Sequence, residues 1–186
     1  MTYGKITDLS MLIEMGMQTF AAHWHPIVEI VQMGRHGIED RETRKLVLGT
    51  HTGTHCDAPR HFIPGGRTVE HISLEQFCGP ATVLDFSTAP DFAQIEVADL
   101  KRAIGESPME RIVVRFDWDL RALGKNRYYW EHPYFSEEAC SWLVENGCRL
   151  IALDTPQPDN PKNGRGTGND APNHKILLGA GVIIVE

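Results

Sequence analysis

Between positions 51 and 61 the chain reads His-Thr-Gly-Thr-His-Cys-Asp-Ala-Pro-Arg-His, three imidazoles and a carboxylate in eleven residues. These are metal-ligand types, and imidazole with carboxylate suits Zn, Mn or Fe about equally well. Of nine histidines in the chain, four (His51, His55, His61, His71) crowd into the stretch from 51 to 71, where even scatter would put about one. A helix cannot use this segment. His51 and His55 would share a face, but Asp57 would point about 200° away, and Thr52, Gly53, Thr54 and Pro59 are poor helix formers. A straight strand fails as well, because at ~3.3 Å per residue His51 and His55 would stand about 13 Å apart. Two nitrogens on one zinc at ~2.1 Å lie roughly 3.4 Å from each other. The chain must therefore bend. Gly53 supplies the bend, and Pro59 fixes a second turn that swings His61 to another side of the site. Along the extended part, alternation points Cys56 away from His55 and Asp57.

Ligands from one loop leave the coordination sphere open, so residues distant in sequence should complete it. His174 and Glu186 are the best remaining imidazole and carboxylate, although each also reads as an ordinary loop or chain-terminal residue. Closed structural zinc sites are dominated by Cys and His, whereas oxygen ligands and a spare histidine imply an open, water-bearing site. Catalysis is the expectation, and a non-catalytic metal-binding module is the rival.

The elements that must position these residues are legible in part. Branched apolar runs at Leu46 to Leu48, Ala81 to Phe86, Arg111 to Phe116, Leu150 to Leu153 and Val182 to Val185 predict five strands. Ser136, Glu137 and Glu138 open a helix with Ala139, Cys140, Leu143 and Val144 on one face, and Gly147 stops it. A second helix is expected over Ala98 to Ile104, ending at Gly105, and a short third after the Ser73, Glu75, Gln76 start signal. Interleaved strands and helices mean α/β. The twenty residues from Pro156 to Lys175 hold four Pro, four Asn and three Gly. They are expected to form a functional loop without helix or strand. Gly164, Gly166 and Gly168 lack the Gly-Lys-Ser/Thr that a phosphate loop needs.

Length and composition bound the rest. With 186 residues, 41% of them hydrophobic, the chain is expected to be one globular domain. A net charge of −7 with no run of Lys or Arg leaves no electrostatic footprint for nucleic acid. The longest apolar stretch, Ile176 to Val185, is about half of the ~20 residues a membrane span needs, and it is expected to be a buried strand. Asp8 and Glu14 interrupt any signal-peptide core, so a cytoplasmic location with no membrane partner is expected. Cys56, Cys78, Cys140 and Cys148 have no paired spacing and are expected to be reduced.

The segment Gly49 to Phe62 resembles the signature of the cyclase family of metal-dependent hydrolases, which includes bacterial kynurenine formamidases and isatin hydrolase. Supporting matches are Asp8-Leu9-Ser10, Arg115-Phe116-Asp117-Trp118, Pro133-Tyr134-Phe135-Ser136 and Leu153-Asp154. The resemblance implies a swivelling β/β/α type of fold in a single domain over 1–186, and a homodimer or homotetramer. It implies that His51, His55 and Asp57 hold a first divalent metal, Zn or Mn, and that Asp57, His174 and Glu186 hold a second, with Asp57 bridging. It also implies His61 as the catalytic acid/base.

Three features sit loosely on the family pattern. Trp24 is flanked by His23, His25 and Pro26 rather than by a Pro-Gly turn, and is expected to touch the substrate. Chains of this family normally run on past the last carboxylate, whereas this sequence stops at Glu186, so either a C-terminal tail is missing or the chain is shortened. The stretch from 156 to 175 maps onto no substrate-binding residues. The expected reaction on a small molecule is hydrolysis of an amide, formamide or lactone carbonyl, with a metal-dependent lyase or cyclase as the alternative.

Overall fold

The computed structural model describes residues 4–164 and 167–186. Arg165 and Gly166, the latter part of the glycine triplet in the long loop, lie outside the described residues. The chain divides at the His55–Cys56 bond into a smaller N-terminal unit and a larger C-terminal one. The first unit contains one antiparallel pair, β1 (Glu29–Gly34) and β2 (Thr43–Val47), in register from Glu29↔Val47 to Gly34↔Thr43 with an irregularity between Gln32 and Gly34. Val28 is its one fully buried apolar side chain among the described residues, while Val31, Met33 and Leu46 are exposed.

The second unit is built on a five-stranded sheet. In chain order its elements are β3 (Cys56–Asp57), α1 (Leu74–Phe77), β4 (Thr82–Asp85), β5 (Gln94–Ile95), α2 (Val97–Ile104), β6 (Arg111–Arg115), α3 (Trp118–Ala122), β7 (Tyr134–Phe135), α4 (Glu137–Glu145), β8 (Leu150–Leu153), α5 (Pro172–Gly179) and β9 (Ile183–Val185). The sheet order is β3-β9-β8-β6-β4, and a separate parallel pair joins β5 to β7. β4, β6, β8 and β9 run parallel, and only β3 is antiparallel, pairing Cys56 with Val185 and Asp57 with Ile184. Parallel strands covered on both faces need near-continuous apolar sequence. The central strands have it: Ile112, Val114, Ile151, Leu153, Ile183 and Ile184 are buried, and edge strand β4 buries Leu84 while exposing Val83. Leu100 and Ile104 of α2, Ala139, Cys140 and Leu143 of α4, and Leu177 and Leu178 of α5 complete the core. Each buried Leu, Ile or Val among them stabilises the fold by about 1.5–3 kcal/mol relative to exposure.

Local signals explain the helix ends. Ser136 Oγ accepts the backbone N–H of Ala139 at 3.1 Å and caps α4. Glu96 and Asp99 form a reciprocal capping box on α2, which stops at Gly105. All five expected strands and all three expected helices are present within a few residues, together with the short pairs β3, β5 and β7 and the first unit's β1.

Two expectations are corrected near the C-terminus. Ile176 to Val185 is not one strand: Ile176 to Gly179 finish α5, Gly181 turns with φ +82°, and only Ile183–Val185 is extended. Nor is 156–175 free of regular structure, since α5 starts at Pro172 and His174 sits in its first turn. Proline is suited to that position because its missing N–H has no intrahelical acceptor there. Loop composition masked the helix start, and a short apolar run cannot by itself separate helix from strand.

Candidate metal and catalytic site

Within the first unit the bend at Gly53 is real. Its φ is +63°, and a Cβ there would stand 3.4 Å from Ile13 Cγ1. The bend brings His51 Nδ1 within 3.0 Å of His55 Nε2, in place of the separation a straight strand would impose. His55 Nδ1–H donates to the Gly53 carbonyl at 2.9 Å, which fixes the proton on Nδ1 and leaves Nε2 as the ligand-type nitrogen. The ring of His25 donates from Nε2 to the His51 carbonyl at 2.9 Å and lies so close to Gly49 that a Cβ there would meet it at 2.7 Å. Trp24 is 62% exposed, tilted against Phe20 and edge-on to His25.

In the second unit, Asp57 is buried on β3 while Cys56 beside it is exposed, as alternation requires. Pro59 opens the expected second turn, a single 3-10 turn over Pro59–His61 in which His61 N–H donates to Ala58 O at 2.9 Å. This sets His61 Nε2 3.9 Å from Asp57 Oδ2, beyond hydrogen-bond reach, with its ring edge-on to Phe62. The side chain of His61 is 28% exposed, whereas that of Asp57 is buried. His174, on α5, projects Nε2 to 3.4 Å from Asp57 Oδ2 and 3.9 Å from Glu186 Oε2. Glu186 follows β9, the strand that carries Asp57's neighbour Ile184. Asp57, His61, His174 and Glu186 are thus brought together at the carboxyl ends of β8 and β9, where open parallel sheets place their ligand sites. Phe62, packed partly into the core, also lies 4.7 Å from the His174 ring. His71 is elsewhere, exposed and bonded to Thr68.

The donor set fits a divalent cation. Oxygen and imidazole atoms spaced 3.4 and 3.9 Å apart match the separation of ligands sharing one ion. Charge points the same way. Burial would push the His174 imidazole down, yet hydrogen bonds to Asp159 and Asp57 and the charges of Asp159 and Glu186 outweigh it and raise the group to about 10. A buried site that holds a proton so tightly is short of positive charge. Tyr129 feels the same excess: burial first, then Glu186, pushes its phenol up to about 12.

Asp159 escaped the sequence reading. It is buried, accepts from His174 Nδ1–H at 2.5 Å and takes the backbone N–H of Asn173 at 2.6 Å. Nothing in its Pro-Asp-Asn-Pro setting distinguishes it from a turn aspartate. The one usable signal was the length of the loop around it.

Residues 7–160 match the sequence profile described as Putative cyclase. The chain is 32% identical to kynurenine formamidase of Bacillus cereus over 116 residues, 62% of this chain and 52% of that protein. It therefore spans about half the length of the curated relatives it matches. Isatin hydrolase A from Labrenzia aggregata, bound to benzyl benzoate, superimposes with a TM-score of 0.81 at 23% identity, covering 96% of this chain and 78% of that one. The isatin hydrolase A of Ralstonia solanacearum gives 0.82 at 22% identity, covering 96% and 77%. These superpositions establish the mixed α/β fold.

Proposed function

The chain belongs to the Putative cyclase family, and from that premise we propose a metal-dependent hydrolase that cleaves an amide C–N bond, with an aryl formamide as the preferred substrate class and lactones or cyclic amides as neighbouring ones. The observation that carries this reading is the buried set of Asp57, His174 and Glu186, with the part-exposed His61 beside it. His51, His55 and Asp57 would hold one divalent ion, Zn or Mn, and Asp57, His174 and Glu186 a second, with Asp57 shared. When bound, such ions acidify a water molecule to a pKa of about 7 and polarise the carbonyl under attack. His61, not needed as a ligand, takes the proton from the attacking water and returns it to the leaving nitrogen, a role typically worth about 10² to 10⁴-fold. Trp24 would supply an aromatic wall for a planar substrate, and its exposed ring is available for one.

The test is elemental analysis of protein purified without chelator, followed by turnover of N-formylkynurenine, isatin and a simple lactone. Near two ions per chain and formamide hydrolysis support the reading. Metal without turnover of any substrate favours a non-catalytic module, and products of elimination rather than hydrolysis favour a lyase.

The proposal includes a homodimer or homotetramer. An isolated two-stranded sheet is marginally stable, and β1–β2 exposes Val31, Met33 and Leu46. Light scattering at micromolar concentration is expected to give at least twice the 20.9 kDa chain mass.

A further inference from the structure

We infer that Asp159 is a positioning residue, whose carboxylate keeps the His174 proton on Nδ1 and so aims Nε2 at Asp57 and Glu186. This rests on the reading of His174 as a metal ligand. Asp159 Oδ2 receives both Nδ1–H (2.5 Å) and the backbone N–H of His174 (3.2 Å), and Oδ1 receives the N–H of Asn173 (2.6 Å). An ionised carboxylate only accepts, so the shared hydrogen belongs to the imidazole and Nδ1 is closed to a cation. Nε2 is what remains, and it lies 3.4 Å from Asp57 Oδ2. An imidazole can otherwise turn over about its ring axis and exchange its two nitrogens; the bond to Asp159 removes that freedom.

The carboxylate is itself held from behind. Asn173 Nδ2 donates to the carbonyls of Phe135 (2.7 Å) and Pro158 (3.0 Å), and Phe135 N–H donates to the same Pro158 carbonyl (3.0 Å). The chain around Asp159 is thus pinned to β7 on one side and to the first turn of α5 on the other. Carboxylate, imidazole and cation in series is the arrangement by which proteins orient a ligating histidine and raise its basicity, and loss of the outer carboxylate typically weakens metal binding by about 10 to 100-fold.

The experiment titrates zinc into metal-free protein against a chromophoric chelator, for wild type, Asp159→Ala, Asn173→Ala and His174→Ala, and records imidazole ¹H–¹⁵N spectra with and without zinc. His174→Ala identifies the equivalent that depends on this histidine. Asp159→Ala is expected to weaken that equivalent 10 to 100-fold and to erase the exchange-protected Nδ1–H signal that wild type shows in both states. Asn173→Ala removes the pin but not the imidazole bond; it is expected to lower Tm while keeping zinc affinity within about threefold and the Nδ1–H signal intact. If Asp159→Ala does not fold, Asp159→Asn replaces it. The amide must turn its NH₂ against either the Asn173 N–H or the two His174 donors, and the charge is lost, so about tenfold weaker binding is expected. Unchanged zinc affinity in the Asp159 variant, or an equal loss in Asn173→Ala, overturns the inference while the metal reading stands. Absence of zinc binding in wild type overturns both.

Discussion

A histidine four residues past a shared-type carboxylate can serve as ligand or as proton carrier, and exposure rather than distance separates the roles at His61. Its Nε2 is 3.9 Å from Asp57 Oδ2 and the side chain is part-exposed, whereas His174, at 3.4 Å, is buried. His61→Ala is therefore expected to keep the metal content of wild type and lose 10² to 10⁴-fold in kcat, measured by elemental analysis and formamide turnover on one preparation; loss of metal would make His61 a ligand. On the proposed reading, in which Asp57 is the ligand common to two sites, Asp57→Ala is expected to lower metal per chain from about two to below one. The approach of His51 to His55 could be read from the sequence because its constraint is local: a glycine bend and a few residues of chain decide it. Asp159 could not, because what makes it more than a turn residue is a contact with a side chain fifteen residues away. His174 and Glu186 fall between these cases, plausible by residue type and selected only by resemblance.

Elements were legible where a capping residue and a periodic face agreed. For α4, Ser136, the acidic first turn and the Ala139–Cys140–Leu143 face all gave the same answer, and the structure has that helix. Ser136→Ala removes the acceptor for the Ala139 N–H. It is expected to cost about 1 kcal/mol and to lower Tm by about 2–4 °C, read by thermal unfolding. At α5 the signals conflicted: Pro172 looked like a loop residue and Ile176 onward like a strand. Tertiary packing of Leu177 and Leu178 into the core resolved the conflict toward helix, and in doing so set His174 on a rigid turn instead of a loop. The bend at Gly53 gives a sharper test, since φ +63° disfavours any side chain by about 1–2 kcal/mol. Gly53→Ala is expected to destabilise by that amount and to reduce metal content, because relief of the strain would part His51 from His55. Full metal content in a destabilised Gly53→Ala would detach the bend from the site.

At the scale of the whole molecule, strand order follows from composition only in outline. Interleaved apolar runs and helices implied α/β, but nothing in Cys56–Asp57 announced a two-residue antiparallel strand, and that strand carries the central carboxylate. The same burial that builds the core makes stability depend on pH. His132 is fully buried beside β7, with Nδ1–H donated to the Pro133 carbonyl at 2.9 Å. Burial pushes its imidazole down to about 4, against partial recovery from the Pro133 bond and Asp159. An unfolded histidine titrates near 6.5, so between those values the unfolded chain binds the extra proton and acid favours unfolding. The protection is complete above about pH 6.5 and is lost as pH falls toward 4. At 1.36 kcal/mol per unit of separation, the loss by pH 4.5 is about 2–3 kcal/mol. Urea unfolding at pH 7.0 and 4.5 should reveal it as a difference between proteins: His132→Gln, which cannot take up the proton, is expected to lose less stability than wild type by that amount. Equal losses in both would mean that His132 accepts its proton without strain in the folded state, and that the carboxylates of the site govern acid unfolding.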